Sequence, residues 1–306
     1  MPMIQENVAL KQHYILGMKV NVINYEDATR QVIKLAKARK SSYVCLANVH
    51  MVMEAYDSAE FRQLVNAADL VTPDGKPLSW SLQALGATNQ QQVCGRELTL
   101  HICKAAALSR ISVGFYGSSK DVLSTLVTRM KQGYPDMNIA YTYSPPFRSL
   151  TPQEKDTVVQ EIQSSGVQIL FVGLGCPKQE RWMAQHKHQI GAVMLGIGAA
   201  FDMLAGTKPQ VPRWMQNIGL EWLFRLCLEP RRLWYRNFGH SPRFIVLFAL
   251  QILKLLLIFV FLPAPAFQLN QSNLPLDVFQ TEKDFVDKAR HFRLLIIRKS
   301  SHYKFS

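Results

Sequence analysis

Asp74 stands in the run Thr72-Pro73-Asp74-Gly75, directly after a short apolar segment. A carboxylate there could take the proton from an attacking hydroxyl, although Pro-Asp-Gly is also a favoured turn sequence anywhere. Asn48 follows another apolar run. Its amide can donate and accept at once, which suits sugar hydroxyls, and it serves equally well as a helix cap. His50, two residues on, reads as a packed or solvated histidine rather than a catalytic one. A third run ends at Gly173-Leu174-Gly175, and Pro177, Lys178, Gln179, Glu180 and Arg181 follow. Glycine turn, proline and polar helix start form a ligand-facing junction, with Gln179 and Glu180 as its binding groups. After a fourth run, Gly198 could approach a ligand by its backbone and Asp202 could accept a hydrogen bond. A tight turn with a first-turn carboxylate is the plainer reading there. Gly117-Ser118-Ser119 offers N–H groups and hydroxyls to a phosphate.

Other chemistries have no pattern to support them. The chain lacks Gly-x-x-x-x-Gly-Lys-Ser/Thr, which excludes a P-loop, and has no Gly-x-Gly-x-x-Gly at a strand-to-helix turn. Paired His/Cys spacing and Asp-x-Asp after an apolar strand are both missing, so neither a metal site nor a cofactor is expected. A leaving diphosphate would then need cations from the protein. Arg225, Arg231, Arg232 and Arg236 can supply them, since guanidinium forks match phosphate geometry; a solvated charged face is the alternative.

The elements that must position these groups alternate. Strands are expected at residues 18–23, 42–46, 69–72, 111–116, 138–143, 169–173 and 192–197, with helices between most of them. Thr151-Pro152-Gln153-Glu154 is a strong helix start, with cap, first-position proline and capping-box glutamate. This alternation predicts an α/β fold: a mostly parallel sheet with helices on both faces. Beyond Gly206 the character changes. Residues 209–212 mark a boundary, residues 214–238 read as a helical, aromatic, arginine-rich segment, and 17 of the 19 residues at 244–262 are apolar. The expected division is a core at 1–206, an arginine-rich appendage at 207–243, and an apolar helix with a basic tail at 244–306.

Charge follows the same division. The net charge is +13, and residues 207–306 hold 15 Lys/Arg against 6 Asp/Glu. A basic end suits an anionic partner: phosphate-bearing ligands, nucleic acid or an acidic membrane surface. The five cysteines have no Cys-x-x-Cys spacing and are expected to be reduced thiols; the start of the chain lacks a secretory signal pattern.

Taken together, TPDG, FVGLGCPKQERW and GIGAAFDMLAGTKPQVPRWMQNIGLEWLFRLCLEPRRLWYRNF resemble the WecG/TagA/CpsF family of bacterial glycosyltransferases over residues 20–238. The resemblance implies a Rossmann-like transferase carrying a sugar from a nucleotide-diphosphate donor, here a UDP-sugar, to a polyprenyl-diphosphate-linked acceptor. It further implies an inverting, metal-independent reaction on the cytoplasmic face of the plasma membrane. Asp74 matches the family's proposed base, Asn48 its pocket asparagine, and Gln179 and Glu180 its Pro-Lys-Gln-Glu pocket. Arg225 and Arg232 best fit the arginines thought to close over the diphosphate, with Arg236 a third. Leu46 departs from the threonine that many members carry two residues before the asparagine, and the tail beyond Phe238 is more apolar than usual. Residues 244–262 approach the roughly 20 apolar residues a span needs, but Lys254 at the centre would cost roughly 2.5–3.5 kcal/mol. A helix lying in the membrane surface, with Gln251 and Lys254 on one polar face, avoids that cost. The rival class is a non-enzymatic, membrane-associated nucleotide- or RNA-binding protein. The helical rhythm of the Trp and Arg residues at 214–236 argues against nucleic acid. Self-association is left open, as is the sugar.

Overall fold

The computed structural model describes residues 10–212, 214–215 and 218–261, excluding the side chains of residues 232, 235–237 and 258–261. Six parallel strands form the central sheet: β3 (Ser42–Ala47), β4 (Leu70–Pro73), β5 (Val113–Gly117), β6 (Ile139–Tyr143), β7 (Ile169–Gly173) and β8 (Val193–Gly196), in the order β4-β3-β8-β7-β5-β6. Every residue of β3 and β8 is buried, as expected of parallel strands covered on both faces. Side chains alternate between two apolar layers. Tyr43, Cys45, Leu170, Val172 and Met194 meet one layer; Val44, Leu46, Ile169, Phe171 and Leu195 meet the other.

The first layer is covered by α2 (Val49–Asp57), α3 (Ala59–Asn66), α4 (Lys76–Ala84), α7 (Pro152–Ser164) and α8 (Lys178–His186). The second is covered by α1 (Tyr25–Lys37), α5 (Gly95–Leu108), α6 (Lys120–Gly133) and α9 (Ala200–Ala205). This is the expected α/β, Rossmann-like arrangement. The capping box at Thr151 and Glu154 forms in full. All five cysteines are free thiols.

The strand expected at 18–23 forms, but outside the parallel sheet. β2 (Met18–Asn21) pairs antiparallel with β1 (Gln12–Ile15). Leu16 and Gly17 both have positive φ, the backbone of a tight two-residue hairpin, so local turn chemistry claims this strand. Asn21 Oδ1 accepts from the Val71 N–H at 2.8 Å, which ties the hairpin to the β4 edge.

After α9 the chain forms α10 (Glu221–Leu228), α11 (Pro230–Tyr235), a π-helical turn (Arg236–His240) and α12 (Ser241–Phe261). The helical segment expected at 214–238 is therefore interrupted: by a turn at residues 218–220, at Glu229-Pro230, where Pro230 has no N–H to continue the ladder, and at the π turn. The expected boundary between 243 and 244 falls inside α12. Phe244 and Leu255 of α12 are buried, and Leu247, Phe248 and Ile252 pack beside them. Gln251 clasps the hairpin: its Nε2 donates to Tyr14 O at 2.8 Å and its Oε1 accepts from Leu16 N at 2.9 Å. Protein backbone thus claims Gln251, while Lys254, one turn on, is exposed. Ile245, Val246, Leu250, Leu253, Leu256 and Leu257 are exposed. Residues Phe238–Leu257 are long and apolar enough to cross a membrane by length and composition. The expected basic tail lies outside the described residues.

Candidate active site

A cleft of about 380 Å³ opens at the C-terminal ends of β3, β4, β7 and β8, with a smaller lobe of about 150 Å³ beside it. Asn48, His50, Asp74, Glu221 and Arg225 line both lobes, so they stand at the junction. This is where strand order in a doubly wound sheet leaves an open crevice.

Asp74 is held by neighbours on three elements. Its N–H donates to Ala47 O at 2.7 Å, locking the ends of β3 and β4 together. Its carboxylate accepts from the Gly95 N–H and the Cys94 thiol at the start of α5. That helix start is fixed in turn by the Cys94 N–H, which donates to the Tyr25 hydroxyl at 2.8 Å. Burial, and then the nearby Glu221 carboxylate, push the Asp74 pKa up to about 7, with Arg225 pulling the other way. A carboxylate titrating there is matched to general-base work at neutral pH.

Asn48 forms the expected cap, its Oδ1 accepting from the Met51 N–H at 3.2 Å at the start of α2, and the residue also lines the cleft. Gln179 also lines the cleft and is rigidly mounted. Its Oε1 accepts from the Gly175 N–H at 3.1 Å, and its Nε2 donates to Glu180 Oε1 at 2.8 Å. The turn needs Gly175 because φ there is +80°, and Gly196 lets Gln179 approach, since a Cβ would lie 2.9 Å from Nε2.

Three of the groups singled out in the sequence do not line this cleft. Glu180 is fully buried and absent from the cleft wall, because the first turn of α8 points it inward behind Gln179. Burial raises its pKa to about 7, opposed by hydrogen bonds from Gln179 and the Cys176 thiol. Asp202 likewise does not line the cleft; its carboxylate faces Lys208 at 3.7 Å, and Lys208 takes the lining position. The Gly117-Ser118-Ser119 turn also lies away from it, with Ser119 capping α6. Gly198 does line the cleft.

Of the appendage arginines, Arg225 reaches the junction and pairs with Glu221 one turn earlier on α10. The backbones of Arg232 and Arg236 lie in α11 and the π turn, and their side chains are outside the described residues. The sequence reading missed Glu221, Lys208 and Arg96. Arg96 carried a signal: it is a cation in the first turn of α5, where the helix dipole disfavours positive charge. Glu221 and Lys208 carried none, because only docking of the appendage brings them to the cleft.

The profile of the "Glycosyl transferase WecG/TagA/CpsF family" matches residues 13–256. Relatives in three organisms are each named N-acetylglucosaminyldiphosphoundecaprenol N-acetyl-beta-D-mannosaminyltransferase. The Bacillus spizizenii protein is 28% identical over 67% of this chain and 78% of its own length. The Bacillus subtilis protein is 26% identical over 69% and 78%, and the Staphylococcus aureus protein 27% identical over 62% and 74%.

Proposed function

This chain belongs to the WecG/TagA/CpsF family of glycosyl transferases, and from that premise we propose that it moves a hexosyl unit from a UDP-sugar to a polyprenyl-diphosphate-linked saccharide. The relatives' names make N-acetylmannosamine the first donor sugar to test and lipid-linked N-acetylglucosamine the first acceptor. The observation that carries the reading is the meeting of Asp74 and Arg225 where the two lobes join. The larger lobe, with Gln179, Gly198, Arg96 and Lys208, takes the donor. The smaller lobe opens beside Trp222 and takes the acceptor's sugar.

Asp74 accepts the proton of the acceptor hydroxyl, which attacks the anomeric carbon from the face opposite the leaving group, inverting its configuration. Arg225 leaves Glu221 to pair with the departing diphosphate, and Arg96 and Lys208 add positive charge around it. Arg232 and Arg236 join this group as their positions on α11 and the π turn allow. Asn48 and Gln179 hold sugar or ribose hydroxyls, while Glu180 and Asp202 act from behind, the first on Gln179 and the second on Lys208.

The membrane is met by α12 lying in the cytoplasmic surface. Its inner face is occupied by the core and the hairpin, which supports an in-plane helix over a span. Its outer apolar face enters lipid, with Lys254 free to reach headgroups. Residues 1–206 then form the transferase core, residues 207–243 the arginine-bearing appendage that completes the site, and residues 244–306 the membrane-associating part. The test is transfer by the full chain in lipid nanodiscs, with UDP-sugars varied against a polyprenyl-diphosphate-N-acetylglucosamine acceptor. Product with inverted anomeric configuration is expected from at least one UDP-sugar; absence of transfer from all of them would overturn the proposal.

A further inference from the structure

Two histidines and a glutamate converge at the edge of the cleft, where His50 forms part of the wall of both lobes. His50 and Glu54 are one turn apart on α2, with His50 Nδ1 3.8 Å from Glu54 Oε1. His240 ends the π turn, and its ring meets that of His50 edge-on at 5.2 Å between centroids. One potential ligand atom from each residue lies within 4.8 Å of the others. From this geometry we propose that His50, Glu54 and His240 bind a zinc-class divalent cation that fastens the appendage to the core.

The donor set selects the ion. Two imidazoles and one carboxylate suit zinc and its transition-metal neighbours, whereas magnesium and calcium favour oxygen throughout. Zinc bonds of about 2.0–2.1 Å in a tetrahedron place donor atoms roughly 3.3 Å apart. The three half-buried side chains therefore draw closer together when the ion binds. Three protein ligands leave a fourth position for water. No sequence spacing announces the site, because α2 supplies one His and one Glu at i and i+4 while the third ligand is 190 residues away in numbering.

The site's place gives it a consequence. A π turn departs from the ordinary helical ladder, and such segments gather at functional positions. Here it presents His240 to α2 just before Arg243, which bonds Asp57 through two nitrogens at 2.7 and 2.5 Å. With Asp57 engaged by Arg243, a metal at His50, Glu54 and His240 adds a second fastening on the same helix. Both fastenings hold the appendage whose α10 carries Glu221 and Arg225 into the cleft. The proposal assigns the ion no step in sugar transfer and is read by metal binding and Tm alone, so it stands whether or not the proposed donor and acceptor are right.

The test uses the full chain, stripped with a chelator and titrated with zinc against a chromophoric competitor. One zinc per chain is expected, and cobalt substituted for it should give the visible absorption of a four-coordinate site. His240→Ala and the near-isosteric Glu54→Gln, each shown folded by circular dichroism, should each weaken zinc at least ~100-fold. Zinc should raise the Tm of the unsubstituted chain and not that of His240→Ala. No binding at micromolar zinc would overturn the proposal. So would undiminished binding in both variants, which would place the ion on other residues.

Discussion

Asp74→Asn is the substitution that most directly tests the chemistry. The asparagine oxygen can still accept from the Gly95 N–H, so the fold at the β4 end is kept while the base is lost. General-base catalysis contributes roughly 10²–10⁴-fold, equivalent to about 3–5 kcal/mol of activation free energy, and kcat should fall by that factor. Stability should move the other way. Folding raises the Asp74 pKa from its ordinary 3.8 to about 7, so between those values the folded state binds more protons than the unfolded state. Stability contributed by this group is therefore lost as pH rises through that window, reaching on the order of a few kcal/mol above pH 7. The asparagine carries no such loss, and Asp74→Asn should raise Tm at pH 8. The pH profile adds a sharper check. In the unsubstituted enzyme kcat/KM should climb to a plateau with an apparent pKa near 7, the ionised base being the active form. Glu221→Gln removes a charge that pushes Asp74 up, and should move that limb to lower pH. Near-normal turnover by folded Asp74→Asn, or a limb that Glu221→Gln shifts upward, would refute the reasoning.

Other outcomes follow from the same geometry. Arg225→Ala should lower kcat about 10²–10³-fold in the transfer assay, and Arg225→Lys should restore little of it, because an ammonium cannot reproduce the guanidinium fork. Glu180→Ala removes the acceptor of the Gln179 amide, and should raise donor KM about tenfold with a smaller change in kcat, measured by UDP release. The exposed pair Leu250→Glu with Leu253→Glu should release the full chain from anionic vesicles in a flotation assay, since burying each leucine in lipid contributes up to about 2 kcal/mol and a carboxylate reverses the sign.

Local chemistry made much of this protein legible from its residues. The two-layer alternation of β3, β7 and β8 follows from apolar runs that parallel strands must bury on both sides. The Thr151 capping box and the placement of Asp74, Asn48, Gln179 and Gly198 at strand ends follow from turn and cap chemistry written within a few residues. Tertiary structure decided what such short windows cannot hold. Residues 18–21 left the sheet because the Leu16-Gly17 turn paired them with the strand immediately before it, residues 12–15. Glu180 and Gln179 are adjacent in sequence, yet helix geometry turns one into the core and the other to the cleft. The apolar run at 244–262 is readable as lipid-seeking; that Gln251 spends its amide on a hairpin at residues 14–16 is not. Nor could spacing reveal that Glu221 would raise the pKa of Asp74, or that His240 would reach His50 and Glu54. Those interactions depend on distances between atoms far apart along the chain, and electrostatics and metal ligation are set by such distances alone.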